Sequence, residues 1–138
     1  MKKVVLILIF VISSFAFDWS GKVSWAMSYE SAKIIAKRTN KPILVDLALS
    51  HCPPCKYIST HIYTDDKIAN FINKNFVPVL IIVDEENTPK EVAQYFSGYT
   101  PTLIIMDTEG NQITQFSFDR DFTTNKYKFI DYLKKGLK

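Results

Sequence analysis

Only two cysteines, two histidines and four glycines occur in this 138-residue chain. With six prolines beside those four glycines, no stretch has the composition of a low-complexity linker, and no internal repeat is visible. An excess of one charge is also missing: 17 Lys and Arg stand against 14 Asp and Glu. No basic run points to nucleic acid or to a polybasic membrane surface. The uncharged stretch at the N-terminus, Val4 to Phe17, is shorter than the roughly 20 residues a spanning helix requires. What is present, 47% hydrophobic and 22% charged residues, suits one compact domain.

The first residues stand apart from that domain. "MKKVVLILIFVISSFA" has a basic end at Lys2 and Lys3, an apolar run from Val4 to Ile12, and small residues at Ser14 and Ala16. It reads as a secretory signal peptide over 1–16, with the mature domain over 17–138, and the rival reading is an uncleaved anchor. Lys2 and Lys3 account for two of the 17 basic side chains, so 15 remain in the mature chain against 14 acidic. Export places the two cysteines in a periplasmic or otherwise exported setting, where disulfides persist.

Along the mature chain, Ser28 to Arg38 is predicted helical, with Ala32, Ile35 and Ala36 on one face. "ILVDLAL", Ile43 to Leu49, is an apolar run of strand length and predicts a buried central strand. A helix is expected right after "SHC", because Pro53 and Pro54 are tolerated only in a first turn. Another is expected from near Thr64, carrying Ile68, Phe71 and Ile72, followed by the strand "FVPVLIIVD". "TPKEVAQYFSG" reads as a helix with Thr88 as N-cap, Pro89 first, Glu91 closing a capping box, and Gly98 as its stop. "PTLIIMD" and "QITQFSF" predict two strands joined around Gly110. A last helix is expected from Thr124 to Leu137, with Tyr127, Ile130, Leu133 and Leu137 on its apolar side. The order implies an α/β fold, with parallel pairing through helical crossovers and a closing antiparallel hairpin.

Cys52 and Cys55 lie in "SHCPPCK" and admit three uses. As a staple they would close almost no loop, and stabilisation grows with loop length. As a metal site they need two more ligands, and His51 and His61 are the only histidines, His51 adjoining Cys52. Haem attachment wants histidine where Lys56 stands. As a redox dithiol they fit their surroundings: a strand runs into the pair and a helix leaves it. A cysteine at a helix start faces unpaired N–H groups, which favours its thiolate, and the thiolate is the nucleophile. Cys55 is one turn further in, where access falls, and can resolve a mixed disulfide formed by Cys52. Asp46, the lone carboxylate of "ILVDLAL", would have a raised pKa if buried and could accept the resolving thiol's proton. Pro101 in "YTPTLII" opens a strand, where either peptide isomer is possible.

"KPILVDLALSHCPPCK" together with "GYTPTLII" resembles the thioredoxin superfamily, in particular its exported members, over essentially the whole mature chain. The resemblance implies a thioredoxin-like fold, a central mixed sheet of four to five strands flanked by helices. It implies that Cys52 attacks a substrate disulfide, that Cys55 resolves it, and that Asp46 handles the proton of the buried thiol. It further implies a cis bond before Pro101, packed against the dithiol, with the backbone of Thr100 pairing with substrate; His51 is grouped with these as a substrate-side residue. Thioredoxin itself usually carries tryptophan and glycine where this chain has His51 and Pro53, and its N-terminal strand has only "KVSW" as a counterpart. The longer segment after Cys55 resembles the C-terminal domain of the membrane electron transporter.

The expected partners are disulfide-containing protein substrates and a thiol electron donor, a membrane electron transporter among the candidates, with no nucleic acid, no metal and no cofactor, and with a monomeric chain. Neither residue between the cysteines can donate a side-chain hydrogen bond to Cys52, and Pro54 matches the thioredoxin type; both favour a reductase or electron relay. A protonated His51 would work the other way. The alternative is a thioredoxin-like copper-binding or assembly module that uses the dithiol as a soft ligand pair.

Overall fold

A computed structural model describes residues 17–138; the signal-peptide reading of 1–16 lies outside the described residues. Four strands form one sheet in the order β2-β1-β3-β4: β1 is Ile43–Ala48, β2 is Val77–Ile82, β3 is Thr102–Met106 and β4 is Gln112–Ser117. β1 runs parallel to β2 and antiparallel to β3, and β3 is antiparallel to β4. The mixed four-strand sheet flanked by helices is the thioredoxin-like α/β arrangement. The parallel pairing expected through every helical crossover holds only for β1 and β2. The connection from β2 to β3 stays at one end of the sheet: Thr102 pairs with Leu47, next to where β1 ends. The dithiol loop and the Thr100–Pro101 segment therefore meet at that end.

All six β1 residues are buried, because helices cover both faces of the sheet. Successive side chains of a strand point to opposite faces. Ile43, Val45 and Leu47 join Tyr29, Ala32 and Ala36 of α1 (Tyr29–Thr39) and Val92 of α4 (Lys90–Ala93). On the other face, Leu44 packs with Ile58, Ile62, Ile68, Ile72 and Phe129. These come from the π-helical turn Ile58–Ile62, from α3 (Asp66–Asn75) and from α6 (Lys128–Lys134). β4 exposes alternate residues, as an edge strand with one wet face does.

Several local expectations change. α1 is capped by Ser28, whose hydroxyl accepts from the Ser31 amide while Ser31 reciprocates. Its buried face runs through Tyr29, whereas Ile35 is exposed. α4 spans a single turn, and Pro89 stands at its N-cap with no side-chain bond, so Thr88 and Glu91 form no capping box. Beyond Ala93 the chain tightens into short-range bonds, Tyr95 N–H to Val92 O and Phe96 N–H to Ala93 O. The expected final helix, Thr124 to Leu137, is shorter: α5 (Asp121–Thr124) ends at its expected start, and α6 is followed by a 3-10 turn, Lys135–Leu137. Asn125 is extended between α5 and α6, with φ −147°, and this break lets Phe122 and Phe129 both face the core with ring centroids 5.3 Å apart. Tyr127 and Leu137, expected on the buried side, are exposed. "KVSW" forms no strand; only Ala26 N–H reaches the outer edge of β2, at Pro78 O, 2.8 Å.

Candidate active site

Past Ala48 the chain leaves the sheet and reaches Cys52, the N-cap of α2 (Pro53–Tyr57), with extended backbone at φ −133° and ψ 100°. The two prolines occupy the first helical positions, where a missing N–H leaves no helical bond unmade. Cys52 and Cys55 are joined as a disulfide with Cα atoms 5.2 Å apart. Whole-residue exposure does not separate them, at 5% and 4%, against the expectation that access falls only at Cys55. Hydrogen bonding does distinguish Cys52. Its Sγ accepts from the Cys55 amide at 3.2 Å and from the Thr100 hydroxyl at 3.2 Å. Both donors would favour a thiolate on that sulfur.

Thr100 comes from the far side of the site, on the segment entering β3, where the Thr100–Pro101 peptide bond is cis and Pro101 is buried. The segment is pinned by Ser117 Oγ donating to Pro101 O at 2.7 Å and by Thr102 Oγ1 donating to Tyr99 O at 2.6 Å. Around the sulfurs lies a small apolar cluster of Ala48, Cys52, Cys55 and Ile82, with Trp19 and Leu80 packed on it.

Asp46 sits mid-strand in β1, 3% exposed, between Leu80 of β2 and Leu103 of β3. Strand alternation puts it on the face of Leu44 and Ala48, and Ala48 touches the cysteine cluster. Tyr63 donates its hydroxyl to Asp46 Oδ2 at 2.5 Å, while Oδ1 has no hydrogen-bond partner among the described residues. Burial pushes the Asp46 carboxyl up to about 6, and the Tyr63 hydrogen bond opposes that rise. A carboxyl near 6 can take and return a proton close to neutral pH.

His51 is exposed, and its Nδ1 lies 3.0 Å from Ser50 Oγ. Ser50 is tied to Asp84, just past β2: its amide donates to Oδ1 at 2.9 Å and its hydroxyl to Oδ2 at 2.5 Å. Those bonds hold the Asp84 carboxyl below its usual range. The structure thus gathers Cys52, Cys55, Thr100 and Pro101 at one end of the sheet, sets Asp46 two residues back along β1 on the same face as Ala48 of the cysteine cluster, and leaves His51 exposed. Tyr63, Asp84 and Trp19 were missed. No motif marks them, and each reaches the site through tertiary packing.

Residues 24–108 match a family model described as thioredoxin-like. Anterior gradient protein 3 of Mus musculus is 23% identical over 126 residues, covering 87% of this chain and 74% of that protein. Thiol:disulfide interchange protein DsbD of Yersinia pestis is 26% identical over 85 residues, 59% of this chain but only 14% of DsbD. Among solved structures, DsbH oxidoreductase superposes with a TM-score of 0.61 at 21% identity, over 79% of this chain and 85% of that one.

Proposed function

The chain belongs to the thioredoxin-like family, and from that premise we propose that it is an exported thiol–disulfide oxidoreductase, a reductase or electron relay acting on protein disulfides. The proposed working domain is 17–138, freed from a signal peptide over 1–16. The observation that carries the reading is the placing of Cys52: a disulfide partner of Cys55 at a helix start, its sulfur receiving two hydrogen bonds.

The chemistry runs on the reduced dithiol. Cys52 thiolate attacks one sulfur of a substrate disulfide; a Cys52–substrate disulfide forms and the other substrate sulfur leaves as a thiolate, which takes up a proton. Cys55 then gives its proton to the Asp46 carboxylate and attacks Cys52 Sγ. The Cys52–Cys55 bond closes and the second substrate thiolate departs, so two electrons have passed to substrate. Thr100, in contact with the Cys52 sulfur, offers its backbone to an extended substrate segment. A thiol electron donor restores the dithiol, and a membrane electron transporter is the class of donor proposed.

The direction rests on the two prolines, which bring no side-chain donor to Cys52 from within the motif. Thr100 supplies a donor from outside it, which raises the potential somewhat. A value nearer ~−270 mV than ~−120 mV is expected, the range that separates reducing from oxidising members of such scaffolds. Equilibration of the dithiol with glutathione, alongside reduction of insulin disulfides, tests the reading. A potential near ~−120 mV with no insulin reduction overturns the reducing direction.

A further inference from the structure

Tyr63 is fully buried, eight residues beyond Cys55, and its place depends on an irregular turn. The helix that begins at Pro53 becomes π-helical over Ile58–Ile62, and the Tyr63 amide bonds to Ile58 O, five residues back, at 2.9 Å. One extra residue in a turn rotates everything after it, and such turns recur at functional sites. Here the rotation brings the Tyr63 ring under β1, where it points its hydroxyl at Asp46 Oδ2.

The ring and backbone are held from several sides. Trp25 and Phe129 meet the ring edge-on, with centroids at 5.0 and 6.0 Å. Lys22 N–H bonds to Tyr63 O at 2.8 Å. Gly21, at φ +54°, lies so close that a Cβ there would sit 2.7 Å from the Tyr63 carbonyl carbon. The hydroxyl is thus aimed by packing at one oxygen of the carboxyl.

We propose that Tyr63 is a positioning residue for the proton step: by tying Oδ2 of Asp46 it fixes the carboxyl plane and leaves Oδ1 to receive the proton of Cys55. This rests on the reading of Asp46 as the acceptor given above. Two arguments support it. A fixed donor to one oxygen removes rotational freedom that a buried carboxyl would otherwise have, so the accepting oxygen is preorganised. The bond also favours the ionised form, which burial opposes. Burial and the Tyr63 hydroxyl are the influences that set the Asp46 ionisation. Its neighbours in register on β2 and β3 are Leu80 and Leu103, the titratable side chain that its carboxyl touches is Tyr63, and Leu80 is the neighbour that also packs on the Cys52–Cys55 cluster.

The test follows the Asp46 carboxyl resonance by 13C NMR in the oxidised protein, and the rate of single-turnover insulin reduction from pH 5 to 9. Wild type, Tyr63→Phe, Asp46→Asn and the double variant are compared, with 3-fluorotyrosine placed at position 63 as a stronger donor. Tyr63→Phe should raise the carboxyl midpoint by about one pH unit, a tenfold change in its ionisation constant, and move the rate profile with it. 3-Fluorotyrosine should lower both. In the Asp46→Asn background, Tyr63→Phe should leave the rate profile unchanged. An unmoved midpoint with a rate lowered equally at every pH, or the same effect in both backgrounds, overturns the positioning role alone. If Asp46→Asn itself keeps the wild-type rate profile, the Asp46 reading falls and the Tyr63 role falls with it.

Discussion

Thr100 donates its hydroxyl to Cys52 Sγ at 3.2 Å, so the residue that precedes the cis bond also touches the sulfur expected to attack. This donor replaces one that the prolines between the cysteines cannot supply. Thr100→Val keeps the shape and removes the hydrogen bond. Losing about 1 kcal/mol of thiolate stabilisation lowers the dithiol potential by about 20 mV, at ~30 mV per 1.4 kcal/mol. Titration of thiolate absorbance should place Cys52 ionisation at higher pH, and glutathione equilibration should give the more negative potential. An unchanged potential would mean the bond is not kept in the reduced protein.

Cys52 and Cys55 are nearly equal in whole-residue exposure as a disulfide, and what distinguishes Cys52 is its hydrogen bonding. Alkylation of the reduced protein at neutral pH should label Cys52 first, because it accepts both hydrogen bonds. Cys55→Ser should accumulate a mixed disulfide with insulin, and Cys52→Ser should not. Equal labelling rates at the two positions would contradict the assignment.

How much of this was legible depended on whether the signal was local. The apolar run of β1 and the Pro53–Pro54 pair each mark their element within a few residues, and the resemblance placed Thr100 and Pro101 beside the dithiol. The Asp46 environment could be inferred from its apolar neighbours, but its partner could not. Tyr63 is aimed by a π-helical turn, and a 3.6-residue period read through that turn points the side chain elsewhere. The same limit explains the ends of the chain. The Thr88–Glu91 spacing is that of a capping box, yet the helix it announces ends after one turn, where Tyr95 and Phe96 pack partly buried against the α1 face. The final helix looked continuous by period; the break at Asn125 serves Phe122, which lay outside the predicted span.

Asp84 clasps the loop that carries the dithiol by accepting both the amide and the hydroxyl of Ser50. Asp84→Ala removes both acceptors. Hydrogen exchange at the Ser50 amide should become faster, while amides of β1 keep their protection. The Asp84 carboxyl is held low by these bonds, so the clasp is present above the ordinary carboxyl range and is lost as pH falls through its lowered value. Wild-type exchange at Ser50, corrected for intrinsic pH dependence, should approach the variant's only in acid. Equal protection in the two proteins at neutral pH would refute the clasp.

Asp46→Asn is the variant in which stability and function should part. The Asp46 carboxyl stands at about 6 in the folded chain against an ordinary value of 3.8. A raised folded value means the native state holds that proton more tightly than the unfolded chain does. The resulting stability is complete below about 3.8 and is lost as pH rises through about 6. Above that, the buried carboxylate costs the native state about 3 kcal/mol, at about 1.4 kcal/mol for each pH unit between the two values. The amide carries no charge and its carbonyl still accepts the Tyr63 hydroxyl, so the hydrogen bond survives the change. Urea denaturation of the oxidised protein should therefore show Asp46→Asn more stable by up to about 3 kcal/mol at pH 8. The gain should shrink between pH 6 and 4 and vanish at pH 3, with the slope against urea unchanged. The same variant should reduce insulin more slowly at neutral pH, if Asp46 accepts the Cys55 proton as proposed. A gain of equal size at pH 8 and pH 3 would show that packing, not ionisation, sets the difference, and that Asp46 is not charged at neutral pH.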